Sequence, residues 1–143
     1  MRRLAYISLL LMNGCLGHSL GEVRATAPLQ TRTFAAPYEE LAACTKYRIE
    51  TDSWLIGQPS VHSTRDPNTP LVSVSAVYIG STLFEVTFQP ASSAMALVKY
   101  RRGYDGYDSQ EKTWAIIESC SRPEIAPRNP DAAMQSQSSL PQP

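Results

Sequence analysis

Cys44 and Cys120 are the residues of this 143-residue chain best placed to do covalent chemistry, with Cys15 a third thiol near the start. Three chemistries are open to such cysteines: metal ligation, nucleophilic catalysis and disulfide formation. Zinc sites need short Cys or Cys/His pairs, and neither Cys44 nor Cys120 has one. A Ser–His–acid triad would have to use His62, beside the Ser63–Pro70 breaker stretch, and no Gly-x-Ser-x-Gly element marks a nucleophile. His62 therefore reads as a surface histidine. Asp105 and Asp108 lack the dense oxygen ligands and closing glutamate of a calcium loop. No metal, no cofactor and no catalytic residue is expected. The remaining distinctive stretch is Tyr100-Arg101-Arg102-Gly103-Tyr104-Asp105-Gly106-Tyr107. Tyrosine and arginine bury area while keeping hydrogen bonds, so Tyr100, Arg101, Arg102, Tyr104 and Tyr107 form a candidate contact patch. The other reading is a connection whose tyrosines cover a sheet edge.

The elements that position these residues centre on Leu71–Tyr100. Three runs, LVSVSAVYI, LFEVTF and AMALVKY, alternate with period two and predict consecutive strands. Val72, Val74, Ala76, Tyr78, Phe84, Val86, Phe88, Ala94, Ala96, Val98 and Tyr100 form the core side. The second side carries Ser73, Ser75, Glu85 and Thr87, but also Leu71, Val77, Ile79, Leu83, Met95 and Leu97, which either the tether or an extra loop would cover or which mark where a partner or lipid binds. Pro37 opens a helix to about Glu50, with Glu39 and Glu40 at its positive end and Leu41, Ala42, Thr45 and Ile49 on one stripe. Trp54–His62 could supply a short strand, made irregular or peripheral by Pro59. Asp108–Cys120 reads as a second helix, capped by Asp108 with Glu111 three residues on.

At the amino terminus, Arg2 and Arg3 precede a nine-residue apolar run, Leu4–Met12, too short to span a bilayer and typical of an export signal. Leu10-Leu11-Met12-Asn13-Gly14-Cys15 resembles the lipobox of bacterial lipoproteins. The resemblance covers about fifteen residues. It implies cleavage before Cys15, lipidation of that cysteine with diacylglycerol and a further acyl chain such as palmitate, and membrane attachment. Leu16, where an aspartate commonly signals inner-membrane retention in that family, leans towards the outer membrane, facing the periplasm. The alternative is plain secretion, with Cys15 inside a discarded leader and Ala25-Thr26-Ala27 an A-x-A-like site.

With Cys15 assigned to the lipid, two cysteines remain. If both helices lie on one sheet face, Cys44 and Cys120 can meet, and an exported compartment permits the bond. The alternative is two buried thiols. Closing a loop of this length contributes on the order of 4 kcal/mol in the chain-entropy model.

The expected organisation is a signal peptide at 1–14, a lipid-anchored tether at 15–36, an α+β domain at 37–121 and a disordered tail at 122–143. The tail has five prolines, three Gln and three Ser after residue 122 and no aromatic. The domain is expected to be two-layered: a mostly antiparallel sheet of three or four strands, flanked on one face by two helices in helix–strands–helix order, with one disulfide. Without Arg2 and Arg3 the chain has 11 basic and 13 acidic residues, which gives no electrostatic case for nucleic acid. The function expected is an exported, lipid-anchored envelope protein, not an enzyme, with a binding or structural role and a candidate envelope protein partner. A soluble periplasmic enzyme or inhibitor, and an accessory lipoprotein of a secretion or conjugation apparatus, are the alternatives.

Overall fold

The computed structural model describes residues 18–52, 57–104 and 109–122. Within them the chain is α+β: a five-stranded, wholly antiparallel sheet with three helices. The elements are α1 (Leu20–Ala25), β1 (Gln30–Phe34), α2 (Tyr38–Thr51), β2 (Ser60–Arg65), β3 (Val72–Tyr78), β4 (Ser81–Ser92), β5 (Met95–Arg102) and α3 (Gln110–Cys120). The strand order is β1-β5-β4-β3-β2. The strands from β2 to β5 form a meander, because each tight link lets the next strand fold back beside the last. β1 and β2 are therefore at opposite edges, and α2 crosses the sheet between them.

The core face is the one the alternation predicts, except that Tyr78, beyond the bulge at Ala76/Val77, and Ala94, in the turn after β4, are exposed. Val74, Ala76, Phe84, Val86, Phe88, Ala96, Val98 and Tyr100 are fully buried there. α2 covers them with Leu41, Thr45 and Ile49, and α3 with Trp114 and Ile117. Phe84 stacks on Tyr100 at 5.8 Å between ring centroids, and Trp114 lies 6.3 Å from Tyr100 and 6.0 Å from Phe34. These separations are in the range where aromatic pairs add to simple area burial. α2 follows Pro37, which adopts an extended backbone before the first helical residue. Cys44 and Cys120 join α2 to α3 by a disulfide, with Cα atoms 5.9 Å apart.

β4 is longer than LFEVTF suggests because it continues past the end of β3. Val72 pairs with Phe88, while Gln89, Pro90 and Ser92 pair only with β5. Pro90 is tolerated there, where a strand has a neighbour on one side only. Two bulges interrupt the ladder, one leaving Leu83 as an extra residue opposite β3 and one leaving Ala91 extra opposite β5.

Three expectations need correction. Two helices, α2 and α3, flank one face of an antiparallel sheet as expected, but among the described residues the sheet has five strands rather than three or four, and a third helix, α1, lies on the other face. The segment 15–36 is not a tether throughout: from Ser19 onward it builds α1 and β1. Ser19 caps α1 reciprocally with Glu22, the Ser19 hydroxyl accepting from the Glu22 N–H at 3.2 Å and the Glu22 carboxylate accepting from the Ser19 N–H at 2.6 Å. β1 was hidden because QTRTF offers the core only one apolar side chain, Phe34, yet its backbone pairs fully with β5 from Gln30↔Tyr100 to Phe34↔Ala96. The cap of α3 is Ser109 rather than Asp108, which lies outside the described residues. Ser109 makes no side-chain capping bond; its hydroxyl instead shares a buried 2.8 Å hydrogen bond with the Tyr100 hydroxyl. The tail at 123–143 also lies outside the described residues.

Candidate functional site

Strand alternation sends Ser73, Ser75, Glu85, Thr87, Lys99 and Arg101 to the face opposite α2 and α3. Arg101, Glu85, Ser75 and His62 lie in one cross-strand row over β5, β4, β3 and β2. Glu85 is on the central strand and is completely buried. A buried carboxylate needs a counter-charge, and Arg101, its cross-strand neighbour on β5, turns its Nε to the Thr26 carbonyl instead. α1 supplies one.

α1 is only six residues long, and its one buried side chain, Val23, fixes it over this face. Val23 packs beside Gly103, which admits no side chain: a Cβ there would stand 2.0 Å from the Thr82 carbonyl oxygen. Seated this way, α1 projects Arg24 across the sheet. Arg24 Nε donates to Glu85 Oε1 at 2.7 Å. Arg24 Nη2 donates to Ser73 Oγ at 3.1 Å and Thr64 Oγ1 at 3.4 Å, and those two hydroxyls share a 2.7 Å hydrogen bond. The guanidinium remains about half open, with the Arg24 side chain 47% exposed against 0% for Glu85. Glu85 Oε2 has no hydrogen-bond partner among the described residues.

Around this latch is an open cleft of about 420 Å³, whose lining includes Arg24, Asp66, Ser73, Glu85, Thr87 and Arg101. Arg101 is steered into place by its Nε donating to the Thr26 carbonyl at 3.1 Å. Asp66 is held below the usual carboxylate range, first by the Asn68 N–H at 2.8 Å and then by Thr69. It stays ionised at the cleft. The cleft thus combines guanidinium donors with carboxylate and hydroxyl groups. That arrangement suits orienting a polar molecule that carries both hydrogen-bond donors and acceptors.

The residues singled out by sequence separate in space. Cys44 and Cys120 are bonded. The contact patch does not form one surface, because β5 continues to Arg102 and alternates its side chains. Tyr100 is wholly buried in the core. Arg102 reaches Gln110 on the helix face at 3.5 Å, and Arg101 points to the cleft side. Tyr104 is exposed at 48%; Tyr107 and Asp105 lie outside the described residues, as does Cys15. His62 is exposed on β2. Among the described residues no group of three or more His, Cys, Asp or Glu is arranged to hold a metal, and no helix is long and apolar enough to cross a membrane.

The Arg24–Glu85 pair was not anticipated. Its signal was a glutamate centred in LFEVTF, on the middle strand of a predicted meander, where a charge needs a partner. No protein-family model matches this chain, and no curated protein matches it.

Proposed function

We propose that this chain is an exported cell-envelope protein, held to the outer membrane by a lipid on Cys15 and facing the periplasm, whose domain binds a partner or ligand rather than catalysing a reaction. The observation that carries the reading is the Cys44–Cys120 disulfide, which staples α2 to α3 in a domain with a modest core. Such bonds form and persist in oxidising compartments outside the cytosol. This agrees with the basic start, short apolar run and lipobox-like Met12–Cys15 at the amino terminus. The binding role is supported by the second-face cleft, where arginines, carboxylates and hydroxyls converge.

The test is fractionation of cells producing the wild-type chain or Cys15→Ala. The wild type is expected in the outer-membrane fraction, and the variant either unprocessed or released to the soluble periplasm. A wild-type chain found wholly in the soluble periplasm overturns the anchor. One observation favours a second reading, a soluble exported enzyme or inhibitor: the buried carboxylate at the cleft, with one oxygen unpartnered among the described residues. Turnover lost on Glu85→Gln, with folding retained, would move the assignment to that class.

A further inference from the structure

The described chain enters the sheet at a defined place. The His18 carbonyl accepts a hydrogen bond from the Thr82 N–H at 2.9 Å, so the segment arriving from Cys15 is tied to the start of β4. Cys15 and His18 are three residues apart in sequence, a span of at most about 11 Å even when fully extended. The long flexible tether expected for 15–36 is therefore absent: a lipid on Cys15 would hold this end of the sheet against the bilayer.

That end differs from the other. It carries the β3–β4 turn at Ile79 and Gly80, the end of β5 and the approach to β1. Here Ile79 is 85% exposed, Leu29 55%, Tyr104 48% and Tyr78 39%. They are four of the six large hydrophobic side chains exposed among the described residues, so apolar exposure is concentrated where the chain arrives. The opposite end has the Ser93-Ala94 turn and the Asp66-Pro67-Asn68-Thr69 loop, with Met95 its one large exposed apolar residue.

Ile79 is also costly to the fold as a free domain. Ile79 and Gly80 have φ of +48° and +75°, the pattern of a tight turn that favours Asn-Gly. A β-branched residue is disfavoured in that conformation. Its side chain gains almost no burial in return.

We propose that the Tyr78–Gly80 tip, flanked by Tyr104 and Leu29, enters the lipid interface of the membrane that holds Cys15, with Ile79 inserted below the headgroups and the tyrosines at their level. The inference rests on the lipid-anchored reading above. Amphipathic tyrosines suit the boundary between headgroup and acyl chain. Gly80 lies two residues from Thr82 along β4, about 7 Å at strand rise, so the tip and the lipid attachment are close enough to meet one surface together. The domain would then be oriented by two contacts, one covalent and one inserted.

The test uses the full lipidated chain, extracted and reconstituted into phosphatidylethanolamine–phosphatidylglycerol vesicles. An environment-sensitive fluorophore is attached at Ile79→Cys, at Tyr104→Cys, or at Ser93→Cys on the opposite end, with intact mass confirming lipid and label. Blue-shifted emission at 79 and 104, quenched several-fold more by nitroxide-bearing lipids than at 93, is the expected result. Water-like emission at both 79 and 104, in a chain whose mass shows lipid on Cys15, overturns the inserted tip and leaves the anchor standing. A membrane-purified chain without lipid on Cys15 overturns the anchor and this inference together.

Discussion

Phe84, Val86 and Phe88 leave β4 on one side and meet two helices joined by a disulfide; Glu85 and Thr87 leave the same strand on the other side and meet a polar cleft under a six-residue helix. Both sets are buried. The first is buried redundantly, by a contiguous cluster in which each side chain has many apolar neighbours. The second is held by the Arg24–Glu85 ion pair. A hydrophobic face tolerates the loss of any single contact better than a polar face tolerates loss of its ion pair, because a buried carboxylate without its partner retains more of its desolvation penalty. One face is thus held by many apolar contacts and a disulfide, the other by a single ion pair with two hydroxyl partners.

Four measurements break or sharpen that contrast. The largest effect is expected from removing the staple of the apolar face. Replacing Cys44 and Cys120 together by alanine should cost about 4 kcal/mol in the chain-entropy model, read as a lower midpoint in urea unfolding. A midpoint that does not move would show that α2 and α3 need no covalent help.

Next is the polar face. Arg24→Ala should cost about 1–3 kcal/mol, the low end reflecting the half-exposed guanidinium. The double variant Arg24→Ala with Glu85→Leu should regain most of that loss, since a well-packed apolar pair commonly matches a buried ion pair. Failure of the double variant to recover would mean that the pair is itself a structural requirement.

A smaller effect, of opposite sign, is expected at the turn. Ile79→Asn should stabilise the domain by about 1 kcal/mol, because asparagine accepts positive φ where a β-branched residue does not. Thermal unfolding at equal concentration reads this directly, and a lower melting temperature would mean that Ile79 makes contacts that offset its strain.

The smallest effect concerns the cap that seats α1. Hydrogen bonds from the Ser19 backbone and then its side chain hold the Glu22 carboxyl below the ordinary glutamate range. A depressed carboxyl contributes stability above its unfolded pKa and loses it as pH falls through the folded value. Glu22→Gln should therefore be less stable than wild type at neutral pH, and the gap should close as pH drops through and below the ordinary carboxylate range. A gap independent of pH would assign the cap to shape rather than charge.

How much of this was legible depends on where each element keeps its information. The meander and both long helices carry apolar periodicity within themselves, so Val74, Phe84, Leu41 and Trp114 could be assigned to the core from the chain alone. The disulfide followed from placing two helices on one face. β1 has one core-facing apolar residue, and its pairing with β5 across more than sixty positions leaves no local trace. α1 left little trace because six residues with one buried apolar side chain, Val23, give no periodicity, and the Ser19–Glu22 capping pair was its one local sign. The contact patch was misread because β5 continues through Arg102, which turns Tyr100 inward and sends its neighbours to different faces. The Arg24–Glu85 latch joins residues that only the docking of α1 brings together.

The measurement that bears most directly on the account is the intact mass of the mature chain from membranes, taken with and without reductant. The account predicts a chain that begins at Cys15, carries acyl groups, and gains two hydrogens on reduction of Cys44–Cys120. An unmodified chain beginning downstream of Cys15 would contradict it.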